Sequence, residues 1–401
     1  MWCYLFLLTF ADPFPFATEA RTHWAFQPLR RPVVPLAHAW ARSPVDAFLL
    51  AKAGSVASAP PADHRTLTRR LVLNLTGLPA SADDLATPYE RLVEKLLASP
   101  AFGERFGRLW LDLARYADTN GYERDGDKPL AWKYRDWVID ALNRKMPYDR
   151  FLTEQIAGDE LADADVSSRI ATTFLRLGTW DDEPANAAVD RYDQLDDILG
   201  TTSAVFLAQT VRCARCHDHK FEPISQKDYY RLLAVFEPLV RPQNGRQDLD
   251  YPVGSASEIA AFRAINDRNE ADKVHLERMR QAVYTRIRER VRREPASRAE
   301  FDKAPPRNVA QWLRLAHPTE QTALADLANR QKVIEARVPT PLPRAYVFME
   351  KGPTAPATLL LKRGNPNLTG DEVRPGFPTS FTGRIPAGPR PLPYSTGRRK
   401  W

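Results

Sequence analysis

Two cysteines and two histidines lie within seven residues of one another in the stretch VRCARCHDHKFEPIS, residues 211–225. Cys213, Cys216 and His217 have the C-x-x-C-H spacing of covalent haem attachment. Both sulfurs can reach one edge of a porphyrin while the adjacent histidine comes up beneath the iron. The spacing therefore predicts a haem c site, with the two cysteines as thioether anchors and His217 as the proximal iron ligand.

Zinc is the main alternative ligand for these side chains. His219 adds a further donor to Cys213, Cys216 and His217, and zinc prefers four nitrogen or sulfur ligands. However, Cys216 and His217 are adjacent, and the chain has no second Cys/His pair to complete a structural zinc site across a longer loop. A redox dithiol, which lacks a supporting strand–helix alternation, and two reduced structural cysteines are the remaining alternatives. The motif favours haem.

The motif does not specify the ligand on the opposite face of the iron. His219 is too close in sequence to His217 to reach that face, and an open, five-coordinate iron is an equal alternative. The basic side chains of Arg212, Arg215 and Lys220 are expected to contact the haem propionates. The candidates for a sixth ligand are His23, His38, His64, Met146, Met279, His275 and His317, of which His23 is put forward.

Two acidic loops carry a second set of candidate residues. Their alternating oxygen side chains around glycine resemble a calcium loop, although the glutamate at the twelfth position of an EF-hand is absent. Carboxylates on two loops could also hold another metal or act as acid and base on a glycosidic bond, with Trp180 and Tyr122 beside the sugar. The plainer interpretation is two solvated loops. The set is Asp118, Asn120 and Asp125 in ADTNGYERDGDKP, and Asp181, Asp182 and Glu183 in TWDDEP.

The spacing of apolar residues predicts a mainly α fold that positions these side chains. Amphipathic periods recur over residues 43–240, which are expected to form a multi-helix globular domain containing the C-x-x-C-H motif. A long helix is expected over residues 189–211, ending directly at the motif. Residues 255–336 are highly charged around a thin apolar seam, which predicts a projecting helical hairpin. Residues 343–380 predict short strands within an irregular segment.

The two ends of the chain differ from the helical part. Residues 1–20 have a short apolar run and a small-x-Ala site, as in a secretory leader, but no Lys or Arg precedes the run. Such a leader predicts an extracytoplasmic location, in the periplasm or at the cell surface. Residues 21–42 predict an extended proline-rich arm, and residues 381–401, rich in Pro, Gly and Arg, predict a disordered tail.

Charge and hydropathy argue against two classes of protein. The chain of 401 residues carries a net charge of +7, but its 57 basic and 50 acidic residues are interspersed and form no stripe. We therefore expect no nucleic-acid partner. No run approaches the roughly 18 consecutive apolar residues that a membrane helix needs, so an integral membrane protein is not expected either.

Many stretches in this order resemble the planctomycete cytochrome-c-like proteins, the PSCyt group, whose central domain has no assigned function. The resemblance implies a c-type haem on Cys213, Cys216 and His217 and export from the cytoplasm, but no reaction. Larger members of the group continue into a C-terminal partner domain, which we do not expect in this chain. The resemblance is carried by HWAFQP (23–28), SPVDAFLLAK (43–52), RRLVLNLTGLP (69–79), residues 89–129, residues 132–161, LGTWDDEP (177–184), residues 190–236 and LLKRGNPNLTGDEVRPGFP (360–378).

The leading functional hypothesis is an exported c-type haem protein with a redox or electron-transfer role at the cell surface and an unidentified redox partner. Whether it is an enzyme stays open. The alternative is a polysaccharide-binding or polysaccharide-cleaving protein that uses the acidic loops, with the Cys/His motif binding zinc or serving structure. A third hypothesis is a scaffold whose charged hairpin docks a partner through an exposed apolar seam.

Overall fold

The chain folds into two compact units, and both are mainly helical. One unit comprises Met1–Tyr251 and Ala345–Trp401, and the other comprises Pro252–Arg344. Helices with a few short strands confirm the predicted mainly α fold class. The computed structural model describes residues 23–27, 29–36, 40–54, 59–181, 183–240, 250–350, 352, 354–378 and 397–398.

The described part of the first unit contains ten α-helices. Side-chain caps fix where several of them begin: α10 starts at Ser225 in a capping box with Asp228. Likewise, α9 starts at Asn186, whose side-chain oxygen accepts two backbone N–H groups. The helices are α1 (Pro44–Ala53), α2 (His64–Thr76), α3 (Ala82–Ala86), α4 (Tyr89–Leu97), α5 (Pro100–Leu113), α6 (Trp132–Asn143), α7 (Tyr148–Ala157), α8 (Val166–Ala171), α9 (Ala187–Phe206) and α10 (Gln226–Phe236).

The core of this unit lies among α6, α7, α9 and α10. Trp137 of α6 stacks on Phe151 of α7 with ring centres 5.1 Å apart, and Leu195 of α9 and Tyr229 of α10 are buried in the same cluster. Burial of each such side chain stabilises the fold by about 1.5–3 kcal/mol. The helices that flank the C-x-x-C-H motif, α9 and α10, are thus held in place by their packing in this core.

Helix α9 ends earlier than the sequence pattern predicts. We expected a helix over residues 189–211, whereas α9 stops at Phe206. Ala208 has a left-handed backbone (φ 52°), and the N–H of Gln209 turns back to the carbonyl of Ser203. Such a left-handed residue terminates a helix and satisfies its last carbonyls. A short irregular segment therefore separates α9 from the cysteines.

Short strands complete the first unit. β1 (Leu239–Val240) pairs antiparallel with β4 (Met349–Glu350), and β5 (Thr358–Leu361) pairs antiparallel with β6 (Thr369–Val373). A 3₁₀ turn, Lys362–Gly364, follows β5 and leads towards β6. The described residues contain two further strands, β2 (Tyr251–Pro252) and β3 (Arg344–Ala345), where the chain passes from one unit to the other.

The second unit is built on a long helix with its own core. α11 (Ala256–Arg293) packs along α14 (Pro318–Glu335), and the short helices α12 (Pro295–Lys303) and α13 (Val309–Leu315) connect them. Trp312 stacks on Tyr284 with ring centres 4.5 Å apart.

Most of the predicted apolar seam of α11 is covered within this unit. Val283, Ile287 and Val291 are buried in a cluster that includes Trp312, whereas Val274 is exposed. The exposed seam that a docking scaffold requires is therefore limited to the neighbourhood of Val274.

The leader at residues 1–20 lies outside the described residues, as do residues 21–22, 28 and 37–39 of the arm and most of the tail. Residues 29–36 of the arm have neither helix nor strand, and most of their side chains are exposed. Within the described residues, no helix is both long and apolar enough to cross a membrane.

Arg398 departs from the disorder predicted for the tail. Its side chain is fully buried, and its guanidinium pairs with Asp159, which follows α7, and with Glu350 of β4. Its backbone N–H donates to Glu160 (2.8 Å), and its Nε donates to the carbonyl of Ile156 (3.2 Å). One residue of the tail thus neutralises carboxylates from two separate parts of the first unit.

Replacing this guanidinium should be strongly destabilising. In Arg398→Met, the carboxylates of Asp159 and Glu350 lose their shared cation, so we expect the free energy of unfolding to fall by about 3–5 kcal/mol. Urea titration followed by circular dichroism measures the change. The control is Arg298→Met, because Arg298 lies 3.7 Å from Asp302 with both side chains at least half exposed; a loss below about 1 kcal/mol is expected there. Equal small losses in both variants would contradict the buried network.

Candidate functional site

The C-x-x-C-H motif begins on a surface turn that is held by one buried residue and by hydrogen bonds from α10. Arg212–Arg215 form a 3₁₀ turn in which Ala214 is fully buried, so the thiols of Cys213 and Cys216 are exposed and unpaired. The carbonyl of Arg215 accepts hydrogen bonds from Gln226 and Tyr230 of α10, both at 3.0 Å. The turn is therefore held in place by its backbone, and both sulfur atoms face outward.

His217 follows this turn, and one of its two ring nitrogens is hydrogen-bonded to the backbone. Its Nδ1 lies 2.7 Å from the carbonyl oxygen of Asp218, and the side chain is exposed. Because a carbonyl oxygen only accepts, Nδ1 carries a proton in this contact, and in the neutral ring the lone pair is then on Nε2. Histidines that bind metals commonly donate their second nitrogen in this way.

His219 has a structural role in the same loop. It is buried, and its Nδ1 accepts the backbone N–H groups of Glu222 (2.8 Å) and Phe221 (3.2 Å). The backbone N–H of His219 donates to the carbonyl of Ile224 at 2.9 Å. His219 therefore closes the turn after the motif, and its Nδ1 is not available as a zinc ligand.

The described residues contain no group of three or more His, Cys, Asp or Glu side chains arranged to hold a metal ion. The zinc hypothesis required four donors, from Cys213, Cys216, His217 and His219, to converge. The calcium hypothesis required the acidic loops to do the same. An iron held by haem needs only one histidine from the chain, so this finding does not bear on the haem hypothesis.

A segment distant in sequence packs against Cys216. Gly364 lies in the turn between β5 and β6, and a Cβ atom on it would lie 2.8 Å from the sulfur of Cys216. The backbone there is left-handed (φ 69°), a conformation that favours glycine. Gln226 also donates to the carbonyl of Leu361 at 3.0 Å. The β5–β6 hairpin is thus part of the site, and spacing within the motif alone did not reveal it.

The arginines of the motif bind carboxylates of α9. Arg215 pairs with Asp193 at 2.7 Å, and Arg212 lies 3.3 Å from Asp197 and 3.4 Å from Asp196. These guanidinium groups were expected to contact propionates, but carboxylates of the protein already engage both of them. Lys220, the third basic candidate, lies with its Nζ 5.1 Å from the ring centre of Phe221.

The first acidic loop uses its polar side chains within itself. Asp118 accepts the hydroxyl of Tyr116 at 2.5 Å, and Asn120 accepts the N–H of Tyr122 at 3.1 Å. Asp125 accepts the N–H of Gly121 at 3.0 Å. The hydroxyl of Thr119 and this N–H together hold the pKa of Asp125 below its ordinary value. These oxygens shape the loop and do not converge on a common point.

An ion pair and a cleft connect the two acidic loops. Glu183 pairs with Arg124 of the first loop through both of its oxygens; Asp182 lies outside the described residues. Nearby, an open cleft of about 550 Å³ is lined by Tyr122, Trp180 and Asp181. Of the predicted acidic set, Asp181 is therefore the residue that lines this cleft, together with Asp190, Asp193, Asp196, Asp197, Arg212 and Arg215.

Lys128 is a buried residue that the sequence analysis did not single out. Its Nζ donates to the carbonyls of Leu177 (2.8 Å) and Gly178 (3.3 Å), and burial lowers its pKa to about 8. This contact joins the end of the first acidic loop to the start of the second. A lysine between two loops carries no sequence signal that distinguishes it from an exposed one.

The candidates for a sixth ligand are dispersed through the chain. His23 is exposed, and its Nδ1 accepts the N–H of Ala25 at 3.3 Å. His64 contacts the carbonyl of Leu85 through Nε2, and Met146 packs against the core. His275, Met279 and His317 belong to the second unit, and His38 lies outside the described residues.

Comparison with known proteins finds a family model that matches the part of the chain that carries this site. Residues 44–241 match the model of PSCyt2, described as a protein of unknown function (DUF1549). The matched segment contains both acidic loops and the whole C-x-x-C-H motif. No curated protein and no solved structure matches the chain. The family description assigns no activity.

The contact between Gly364 and Cys216 can be tested with a matched pair of glycine substitutions. In Gly364→Ala, the left-handed backbone and the clash with sulfur should lower the free energy of unfolding by about 1–2 kcal/mol. Displacement of the hairpin should also speed labelling of Cys216 by an alkylating reagent, measured by mass spectrometry. Gly352→Ala is the control, since a Cβ there meets nothing within 4 Å. An unchanged labelling rate of Cys216 in Gly364→Ala would show that the hairpin does not pack against this cysteine.

Proposed function

We propose that Cys213, Cys216 and His217 attach a c-type haem, and that the protein is exported and has a redox or electron-transfer role at the cell surface. One observation carries the proposal: two exposed, unpaired thiols precede a histidine whose Nδ1 is engaged by a carbonyl and whose Nε2 is available. Thioether formation requires accessible thiols, and iron ligation requires that nitrogen lone pair.

The surroundings of the motif also suit covalent attachment. Buried Ala214 and the hydrogen bonds to the carbonyl of Arg215 hold the backbone of the turn that carries both cysteines. Preorganised ligands lose little conformational freedom when a group binds. Once bound, haem iron supplies one-electron oxidation and reduction. The surface position of the motif leaves such a group open to a protein partner.

The test is to produce the chain with a c-type haem maturation system and to record a pyridine haemochrome spectrum after denaturation. We expect a c-type α-band that survives denaturation and is absent from Cys213→Ala/Cys216→Ala, because the thioether bonds are lost. His217→Ala should change the Soret band of the folded protein. Lys227→Ala, at an exposed residue of α10 that is not a candidate ligand, should leave both spectra unchanged. A colourless protein carrying one zinc, or no metal, would overturn the haem proposal.

The cleft between the acidic loops favours a second candidate, polysaccharide binding. Tyr122 and Trp180 are aromatic side chains at its wall, and Asp181 supplies a carboxylate that can accept sugar hydroxyls. Because Asp118, Asp125 and Glu183 are engaged within the protein, and Asp181 itself accepts the backbone N–H of Glu183 at 2.9 Å, this proposal concerns binding and assigns no acid/base pair.

Titration with soluble polysaccharides, followed by tryptophan fluorescence, tests this second candidate. We expect a saturable change for at least one polysaccharide and an affinity about tenfold weaker in Tyr122→Ala, because a stacking face is removed. Tyr148→Ala is the matched control, since Tyr148 is also exposed but lies at the start of α7 and not in the cleft. The same affinity in both variants, or no binding, would exclude the cleft as a sugar site.

A further inference from the structure

A mostly apolar cavity lies among α7, α9 and α10, away from the residues assigned above. Its volume is about 250 Å³. Ile156 of α7, Leu199 and Phe206 of α9, and Leu232 of α10 line it, and Phe377 closes another side. A cavity of about 150 Å³ with such walls admits benzene, and sites for drug-sized ligands begin near about 300 Å³. This cavity therefore suits a small ring compound.

Two hydroxyl groups in the wall have no hydrogen-bond partner. Ser203 is 1% exposed, and neither its Oγ nor the Oγ1 of Thr202 is paired within the described part of the chain. Both residues line the cavity. An unpaired hydroxyl in an apolar setting is unfavourable, because it has left water without gaining a replacement bond. Their placement indicates a ligand that brings a polar atom of its own.

The charge at the cavity favours a neutral ligand. Arg398 contributes to the wall, but its guanidinium is paired with Asp159 and Glu350, and its Nε is bonded to the carbonyl of Ile156. It is therefore not free to bind an anion, and the neighbouring carboxylates repel one. A cationic ligand would be neither hydrated nor paired with a counter-charge among the apolar side chains of this cavity.

We propose that this cavity binds a small, neutral aromatic compound with one hydroxyl or carbonyl group, oriented by Ser203 and Thr202. The ring would occupy the space between Leu199, Phe206 and Phe377, and the polar atom would pair with the two hydroxyls. The proposal does not depend on the haem: it uses a different cavity and can be tested on the chain without cofactor.

Phenol and benzene are the test pair, measured by isothermal titration calorimetry at pH 7, where phenol is neutral. We expect phenol to bind with one site per chain and more tightly than benzene, because only phenol pairs with Ser203. In Ser203→Ala the affinity for phenol should fall about three- to tenfold, while that for benzene stays unchanged. Ser257→Ala, at an exposed serine of the second unit, should change neither affinity.

The same variant gives a second, opposite readout. Because Ser203→Ala removes an unpaired buried hydroxyl, the ligand-free variant should melt at a higher temperature than the original chain. A higher melting temperature together with weaker phenol binding is a pattern that general damage to the fold does not produce. The proposal fails if phenol does not bind, if phenol and benzene bind equally, or if Ser203→Ala leaves their affinity ratio unchanged.

Discussion

Ion pairs between α9 and three arginines hold together the parts of the molecule to which we assign function. The aspartates occupy i, i+3 and i+4 positions, so one face of the helix presents all of them. Since removing one partner leaves the other charge uncompensated in a partly buried setting, each pair restrains the turn or helix end that supplies the arginine. The pairs are Asp193 with Arg215, Asp196 with Arg212, and Asp197 with Arg115.

Much of the fold, but less of the site, could be predicted from the sequence. Helical periodicity is a local property, so the mainly α class and the position of the motif after α9 could be inferred. The early end of α9 could not, because alanine at position 208 is an ordinary helix former that adopts a left-handed backbone here. The contacts of Gly364 with Cys216 and of Arg398 with Asp159 join residues far apart in the chain, and no local pattern encodes them.

The acidic loops illustrate why residue type alone does not identify a metal site. Carboxylates in a glycine-rich loop satisfy either a cation or the loop's own N–H and hydroxyl groups. In this chain the second use prevails at Asp118 and Asp125, which accept bonds from Tyr116 and Gly121. Glu183 is neutralised by Arg124 across the two loops. The loops do meet, as the polysaccharide hypothesis required, but an arginine joins them.

Helix α9 contributes to two sites at different points along its length. Asp193, Asp196 and Asp197, near the middle of the helix, pair with the arginines near the motif, whereas Leu199, Ser203 and Phe206, towards its C-terminal end, line the apolar cavity. At Ser203 the backbone carbonyl accepts the N–H groups that end the helix, which leaves the side chain as the polar group of the cavity wall. A valine or alanine at this position would pack better against apolar neighbours. The hydroxyl at this position is therefore better explained by a ligand than by the stability of the helix.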